Sequence, residues 1–339
     1  MVASETTRSS QTFGFHQTDR AFVAHGTKDS DPIWQPGQLV SAESVSLSPA
    51  AAVLSYGYGV MEGLKAQRTD DGRVLIFRPR DHAERLQRSA RRLSLPPYPT
   101  DLFVEAAESL VRANASHLPP SAEGALYLRP TLYATESMLG LRVAKRFCLS
   151  IYCCPIGPYF SRGAIRLRVL AVARAAPGGT GAVKSIGNYA GMLTHRLEAG
   201  ADGFDDVIFT DAATHTLLEE TSGSNVFALM RDGSLVTPPL GDTILAGITR
   251  DSVIRMAKDE LGLPVEERPL PVREVLDDAE QLFCTGTAWT VQPVEELETK
   301  QGWVKMSSIE LARTLRERLL EIQAGRGADN YGWTHAVEL

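Results

Sequence analysis

No stretch of the 339 residues approaches the roughly 18 consecutive apolar positions that a membrane-crossing helix needs. Positive charge is not in excess either. Lys and Arg total 35 against 41 Asp and Glu, a formal charge of -6, which opposes binding to nucleic acid or anionic lipid and leaves small molecules or other proteins as the expected partners. Cysteine is scarce. Cys148, Cys153, Cys154 and Cys284 show neither even spacing nor a C-x-x-C pair, which excludes a disulfide scaffold and fits a reducing compartment. The N-terminal MVASETTRSSQTFGFHQTDR lacks the apolar core of a secretory leader, and Glu5 and Asp19, with no long Arg-rich stretch, separate it from a transit peptide. The expectation is a frayed tail over residues 1–12 and a cytoplasmic protein. Internal repeats and low-complexity blocks are also missing, so a solenoid is excluded.

What is present is an ordinary globular mixture, 43% hydrophobic and 22% charged, on a chain about twice the ~150-residue length of a single domain. One or two sizeable cores follow. RVLIF (73–77) reads as a strand, and Asp81 as the cap of a helix running to Leu95 with apolar Ala83, Leu86, Ala90 and Leu93 at helical spacing. Residues 103–117 read as a second helix, and ALYLRPTLYA and KRFCLSIYCCPIG (145–157) as strands. Later come a helix over 190–200, strands at DVIFTD and NVFALM, a hairpin at Arg231-Asp232-Gly233 and a helix from Thr249 to Leu261. A last helix is expected to begin at a capping box, Ser307-x-x-Glu310, and to run to Gln323. Turn-formers cluster at Gly157-Pro158-Tyr159-Phe160-Ser161-Arg162-Gly163. The expected architecture is α+β, with a small N-terminal domain (1–158), an interdomain loop (159–172) and a large C-terminal domain (173–339). A ligand site belongs between them.

Chemistry concentrates in GGTGAVKSIGNYAG (178–191). It approaches the phosphate-cradling pattern G-x-x-x-x-G-K-[ST], and DVIFTD would supply Asp211 for a magnesium ion in a nucleotide hydrolase. Val183, however, occupies the place where a glycine must let the backbone turn its N–H groups onto phosphate. A β-branched residue there predicts a strand that positions Lys184. A lysine in an apolar, glycine-flanked setting loses hydration, and its amine becomes nucleophilic; the ordinary alternative is a solvated surface lysine. A pyridoxal phosphate site needs such a lysine, a carboxylate for the pyridine nitrogen, and an anion cup of arginine and a helix N-terminus. The sequence offers all three.

With these residues in view, the chain resembles the fold-type IV pyridoxal-phosphate enzymes, and specifically the branched-chain amino-acid aminotransferase family. The matching blocks are SYGYGVMEGLKAQR (55–68), FRPRDHAERLQRSA (77–90), LYLRP (126–130), GPYF (157–160), PGGTGAVKSIGNYAG (177–191), LEETSGSNVFAL (218–229), TPPLGDTILAGITR (237–250) and CTGTAWTVQPV (284–294), in family order over residues 40–300. The resemblance implies two α/β domains with the cofactor at their interface. It makes Lys184 the catalytic, Schiff-base lysine, which also moves the substrate's α-proton. Glu220 becomes the carboxylate facing the pyridine nitrogen, with Glu219 an exposed strand neighbour. Tyr189 becomes the hydroxyl beside the cofactor's phenolic oxygen, and Arg85 the phosphate arginine among the crowded Arg78, Arg80, Arg88, Arg91 and Arg92. Gly247, Ile248 and Thr249 would present a helix N-terminus to the phosphate, Thr287 a hydroxyl, and Leu245 a ring contact.

For the substrate, the resemblance implies a side-chain pocket of Tyr56, Met61, Tyr127, Arg129 and Tyr159 beside Gly223, with the backbone at Thr287 and Ala288 near the α-carboxylate. Arg129 would meet the distal carboxylate of glutamate, or else form a structural salt bridge. Leu139 and Leu141 would reach across from a partner subunit, which makes a homodimer the expected assembly. No metal is called for. Met61 stands where relatives often carry Phe, Gly223 where some carry Thr, and Trp289 and Gln292 where some carry a C-x-x-C redox pair. These departures bear on substrate breadth and leave the transamination machinery complete. The expected activity passes the amino group of L-leucine, L-isoleucine or L-valine to 2-oxoglutarate, giving branched-chain 2-oxo acids and L-glutamate. The alternatives are D-amino-acid or R-amine transamination, aminodeoxychorismate lysis, a specialised biosynthetic transaminase, and, further off, the nucleotide hydrolase.

Overall fold

The computed structural model describes residues 13–43, 45–121 and 123–339; the tail expected over residues 1–12 lies outside them. Two sheets organise the chain. The first has eight strands, in the order Thr334–Val337, Val74–Phe77, Leu64–Arg68, Ala125–Ala134, Arg146–Ile156, Arg20–Thr27 and Gln38–Ser41, with Gly59–Met61 also paired to Ala125–Ala134. All its pairings are antiparallel. Gly59–Met61 and Leu64–Arg68 run along one edge of Ala125–Ala134 in one register, interrupted where Glu62 lies opposite Pro130. Pro130 accepts the Glu62 N–H at 2.8 Å but has no N–H to return, so the ladder breaks there. One face of this sheet is covered by the helices Pro79–Arg92 and Thr100–Ala113. Leu86, Ala90, Phe103, Leu110, Leu126 and Leu149 meet in the core between them.

The second sheet has ten strands and closes on itself. Asn225–Met230, Ala279–Gly286, Thr290–Thr299, Ile165–Leu170, Asp206–Thr210 and Leu217–Thr221 form a ring of neighbours, sealed by the pairing of Glu220 with Asn225. The ring is mixed. Ile165–Leu170 lies parallel to both its neighbours, and the remaining pairs are antiparallel. The helices Ile248–Asp259 and Glu310–Gln323 cover part of it. Their apolar cluster includes Phe77 from the first sheet beside Phe227, Phe283, Val253, Leu315 and Trp333, so the two halves share buried contacts.

Several sequence expectations change. Ile165–Leu170 is a central strand, so within the expected 159–172 loop only the residues before it bridge the sheets, and the last strand, Thr334–Val337, makes a second crossing back to the first sheet. The helix expected to be capped by Asp81 instead starts at Pro79, which fixes the first-turn φ, and Asp81 pairs with Arg78. No capping box forms at Ser307: its hydroxyl donates to the Glu280 carbonyl, and the Glu310 N–H goes to Ser308 Oγ at 3.1 Å. Val183 and Lys184 lie in a turn rather than a strand. That turn is held from outside. The Asn188 side-chain amide donates to the carbonyls of Thr180 at 2.8 Å and Val183 at 3.0 Å, and Arg92 donates to the Gly178 and Gly179 carbonyls.

Candidate active site

Between the sheets lies a cavity of about 240 Å³. The Lys184 side chain enters it from a turn tied to the first sheet. The Lys184 N–H donates to Ser89 Oγ at 3.0 Å, and its carbonyl accepts the Met61 N–H at 2.9 Å. Its Nζ donates to the Tyr189 hydroxyl at 2.9 Å. The amine is therefore placed by Tyr189, five residues along the chain, while Ser89 and Met61, both distant in sequence, hold the Lys184 backbone.

Glu220, at the seam that closes the second sheet, lines the same cavity. Its carboxylate is ion-paired with Arg174, accepts the Leu245 N–H at 3.3 Å and accepts from Asn225 Nδ2 at 3.2 Å. Burial pushes its pKa up to about 7, with Arg174 opposing. Arg174 is tied down in turn, donating through Nη2 to the carbonyls of Gly181 at 3.0 Å and Thr243 at 2.6 Å. Glu219 is not the exposed neighbour expected. Its side chain is buried beneath Thr243, whose hydroxyl donates to Oε1 at 2.6 Å, and burial raises its pKa.

The opposite pole is basic. Arg85 projects from the Pro79–Arg92 helix and forms a fork with Glu62, Nε to Oε1 at 2.7 Å and Nη2 to Oε2 at 2.8 Å, while Nη1 donates to the Ala246 carbonyl at 3.2 Å. Glu62 is fully buried and meets His82 Nδ1 at 2.7 Å on its other side. Burial alone would raise the Glu62 pKa. The charge of Arg85, then the hydrogen bonds from Arg85 and His82, hold it well below the usual carboxylate range. Beside Arg85 the Ile248–Asp259 helix begins at Gly247 with no side-chain cap, and Gly247, Ile248 and Thr249 line the cavity. Its first N–H groups are the free donors of a helix start, an electropositive end suited to an anion. A Cβ at Gly247 would lie 2.1 Å from Asn225 Oδ1, so glycine lets the helix start beside the residue that braces Glu220. Arg78 steadies that helix, reaching Ser252 Oγ at 2.9 Å and Asp251 at 2.7 Å.

A third wall is aromatic and cationic. Arg129 donates to the Tyr127 hydroxyl at 3.0 Å and to Met61 Sδ at 2.7 Å, and its Nε is buried without a partner. Its partners among the described residues are thus a phenol and a thioether, neither of which carries a counter-charge. Tyr159 packs against Phe13, ring centroids 4.7 Å apart, and Trp289, 5.6 Å apart. Arg196, paired with buried Asp206 at 3.2 Å, also faces the cavity.

Leu245, Gly223, Thr287 and Ala288 join Lys184, Arg85, Tyr189, Glu220, Gly247, Ile248, Thr249, Met61, Tyr127, Arg129 and Tyr159 on the lining. Tyr56, Leu139 and Leu141 do not. Tyr56 accepts the Gly140 N–H at 2.9 Å and lines a separate hollow with Leu141, while Leu139 is 100% exposed. Sequence reasoning missed Glu62, Arg174, Asn225 and Arg196. Glu62 had one signal, a lone acid inside the apolar run GVMEGLKA; Arg174 had none, since its partner lies 46 positions away.

Residues 59–297 match the family described as amino-transferase class IV. A branched-chain-amino-acid aminotransferase of Arabidopsis thaliana, named chloroplastic, is 38% identical over 328 residues, 95% of this chain and 78% of that protein. A methionine aminotransferase of the same plant is 39% identical, covering 96% of this chain and 92% of its own. Among solved structures, the branched-chain aminotransferase of the thermophilic archaeon Thermoproteus uzoniensis, determined with norvaline, superposes with a TM-score of 0.80 at 29% identity, covering 95% of this chain and 100% of that one. That likeness bears out the expected α+β class. The cytoplasmic expectation is corrected, because relatives are named as chloroplastic and mitochondrial. Free buried thiols speak only of reducing surroundings, and those do not single out one compartment. The family match spans most of the chain and takes in Arg85, Lys184, Glu220 and the helix start at Ile248, and the chain belongs to the class IV amino-transferases.

Proposed function

We propose that the protein is a pyridoxal 5'-phosphate-dependent transaminase that moves the amino group of L-leucine, L-isoleucine or L-valine to 2-oxoglutarate, yielding the branched-chain 2-oxo acid and L-glutamate. The observation that carries this reading is one cavity holding a lysine amine, a buried carboxylate and a basic anion pole, with a mixed apolar and cationic wall. The residues fit the cofactor: free helix N–H groups at Gly247–Thr249 and Arg85 suit its phosphate, Glu220 its pyridine nitrogen, and Tyr189 its phenolic oxygen. Thr285 Oγ1, on the same lining, is buried without a partner and offers a further donor. Bound pyridoxal phosphate supplies an aldehyde that takes up the amino group and a ring that draws electron density from the substrate α-carbon.

The chain's own groups do the rest. Lys184 Nζ takes the proton from the substrate α-carbon and returns it on the product side. Arg174 favours the ionised form of Glu220, so that a ring N–H opposite it is retained. Leu245 packs against the cofactor ring, the backbone at Thr287 and Ala288 orients the substrate, and Trp289, Tyr159 and Phe13 exclude water. Arg129 has no carboxylate against it among the described residues, and it binds the distal carboxylate of 2-oxoglutarate, while Met61 and Tyr127 beside it receive an apolar side chain. We further propose two domains built on the two sheets, and a homodimer in which Leu139 and Leu141, exposed in the single chain, complete the partner's side-chain pocket.

A panel of amino donors with 2-oxoglutarate, read by L-glutamate formation, tests the reading. Branched-chain donors should lead, and Lys184→Ala should abolish both turnover and the cofactor's visible absorbance band. A protein that binds no pyridoxal phosphate, or one that forms R-configured amine from 2-oxoisocaproate, would sink it. A second reading, preference for methionine, is favoured by the flexible Met61 wall, since a thioether side chain adapts to unbranched substrates. The same panel ranks the two.

A further inference from the structure

Backing onto the Gly286–Thr290 turn is a second cavity of about 200 Å³, which shares Tyr159 and Ala288 with the first. Lys65, Arg316 and Arg326 all line it. Lys65, on the strand Leu64–Arg68, is only 8% exposed, and its Nζ has a single hydrogen-bond partner among the described residues, Thr290 Oγ1 at 3.1 Å. Arg316, on the helix Glu310–Gln323, donates through Nη1 to the carbonyls of Trp289 at 3.0 Å and Val291 at 2.8 Å. Neither cation meets a carboxylate among the described residues. Arg326 stands at the more exposed side, donating to Ser121 Oγ at 3.0 Å with Asp70 3.6 Å away, and Glu123, itself exposed, is the one acid on the lining.

Buried charges are ordinarily paired, because burial without a partner costs the charged form its hydration. Here Lys65 is buried and Arg316 half-buried, and both face one hollow with no carboxylate against them among the described residues. The consequence is felt at Lys65, whose pKa burial, and then the neighbouring Arg316, pull down to about 7. An anion seated between them would repair both defects at once, since each retains N–H donors not committed to protein oxygens.

We propose that this second cavity binds a small dianion, a phosphate or a short dicarboxylate, through Lys65, Arg316 and Arg326, and that its occupancy sets the turn that carries Thr287 and Ala288 into the first cavity. The mechanical link is direct. Lys65 and Arg316 hold Thr290, Trp289 and Val291, and Thr290, a β-branched residue, sits at φ 60, where it stays only because its surroundings hold it. An anion that draws Lys65 away from Thr290 Oγ1 frees this end of the turn. The coupling to turnover rests on the transaminase reading; the binding itself does not.

Isothermal titration of the cofactor-loaded protein, in which the cofactor's own phosphate site is filled, with inorganic phosphate and separately with succinate tests the proposal. One saturable site per chain is expected for at least one probe, weakened by about tenfold or more in Lys65→Met, as loss of one charge-assisted hydrogen bond implies. Arg326→Ala, at the more exposed rim, should weaken the same site. Phosphate-only binding identifies a phosphate, succinate-only binding a dicarboxylate. With amino donor varied, the bound probe should shift KM while leaving kcat, and the shift should vanish in Lys65→Met. Absence of binding by both probes, or binding unchanged in Lys65→Met and in Arg326→Ala, overturns the site. Binding with no change in KM overturns the coupling.

Discussion

Replacing Glu62 by leucine tests whether the Arg85 fork is a structural necessity or an ornament of the site. Glu62 is fully buried, and its carboxylate receives Arg85 at 2.7 and 2.8 Å and His82 at 2.7 Å. Leucine fills a similar volume, so cavity formation adds little. What is lost is the counter-charge, and Arg85, itself buried, keeps only the Ala246 carbonyl. The Gly63 N–H also donates to Glu62 Oε2 at 3.2 Å. Hydrogen bonds to charged groups contribute about 1.5–3 kcal/mol each, but four donors on one carboxylate do not sum. Removing one partner of a buried pair costs about 3–5 kcal/mol, and the surviving carbonyl contact points to the lower end, ~3 kcal/mol. Against a total stability of about 5–15 kcal/mol, that is a large share.

Urea titration of the cofactor-free protein at pH 7 reads this loss without contribution from ligand binding. His82→Leu should cost less, about 1–2 kcal/mol, because the Arg85 pair survives. The pH dependence has a definite sign. A carboxylate whose folded pKa is depressed adds stability above its unfolded value, and that stability is lost as pH falls toward the folded value. The gap between wild type and Glu62→Leu should therefore stay constant from pH 7 to 5 and close only in more acid solution. A loss below about 1 kcal/mol, or a gap that closes before pH 5, would refute the account of the fork.

Glu220 titrates with the opposite sign. Burial raises its pKa to about 7, so its folded form holds a proton the unfolded chain has already released; stability from this group is full below its unfolded value and is lost as pH rises to about 7. The cofactor-free protein should lose stability over that window, and Glu220→Gln should flatten the slope; an unchanged slope assigns it to other groups. Leu139→Asp alters a side chain with no burial in the single chain, so melting should stay within about 0.5 kcal/mol of wild type while KM for the amino donor rises several-fold. Unaltered kinetics would count against a pocket shared between subunits.

The elements that the sequence foretold are those whose reasons are local. ALYLRPTLYA became Ala125–Ala134 and NVFALM became Asn225–Met230, because β-branched and aromatic residues bounded by turn-formers specify a strand without outside help. The failures are those in which a distant partner displaces a local one. Ser307 had the spacing of a capping box, yet its hydroxyl goes to Glu280, 27 residues away. Val183 argued for a strand, but the Asn188 amide and Arg92 hold that stretch as a turn. Glu219 read as an exposed neighbour of Glu220, since alternate strand residues face opposite sides. The loop at Thr243 covers that second side, a fact that belongs to tertiary structure alone.

The same distinction explains why net charge says nothing about the site. A formal charge of -6 averages over the whole chain. The cavity gathers Arg85, Arg129, Arg174, Lys184 and Arg196 from five separate segments, and each basic group is treated differently there. Arg85 and Arg174 are matched by Glu62 and Glu220, and Arg196 by Asp206. Arg129 alone among these arginines has a thioether and a phenol for partners. Pairing fixes position, and the absence of a carboxylate partner leaves charge free for a ligand. By that criterion the paired arginines build the site, and Arg129 is the one we propose to read the substrate. No count of charges along a sequence separates these roles, because the separation is made by which carboxylates the fold brings within 4 Å.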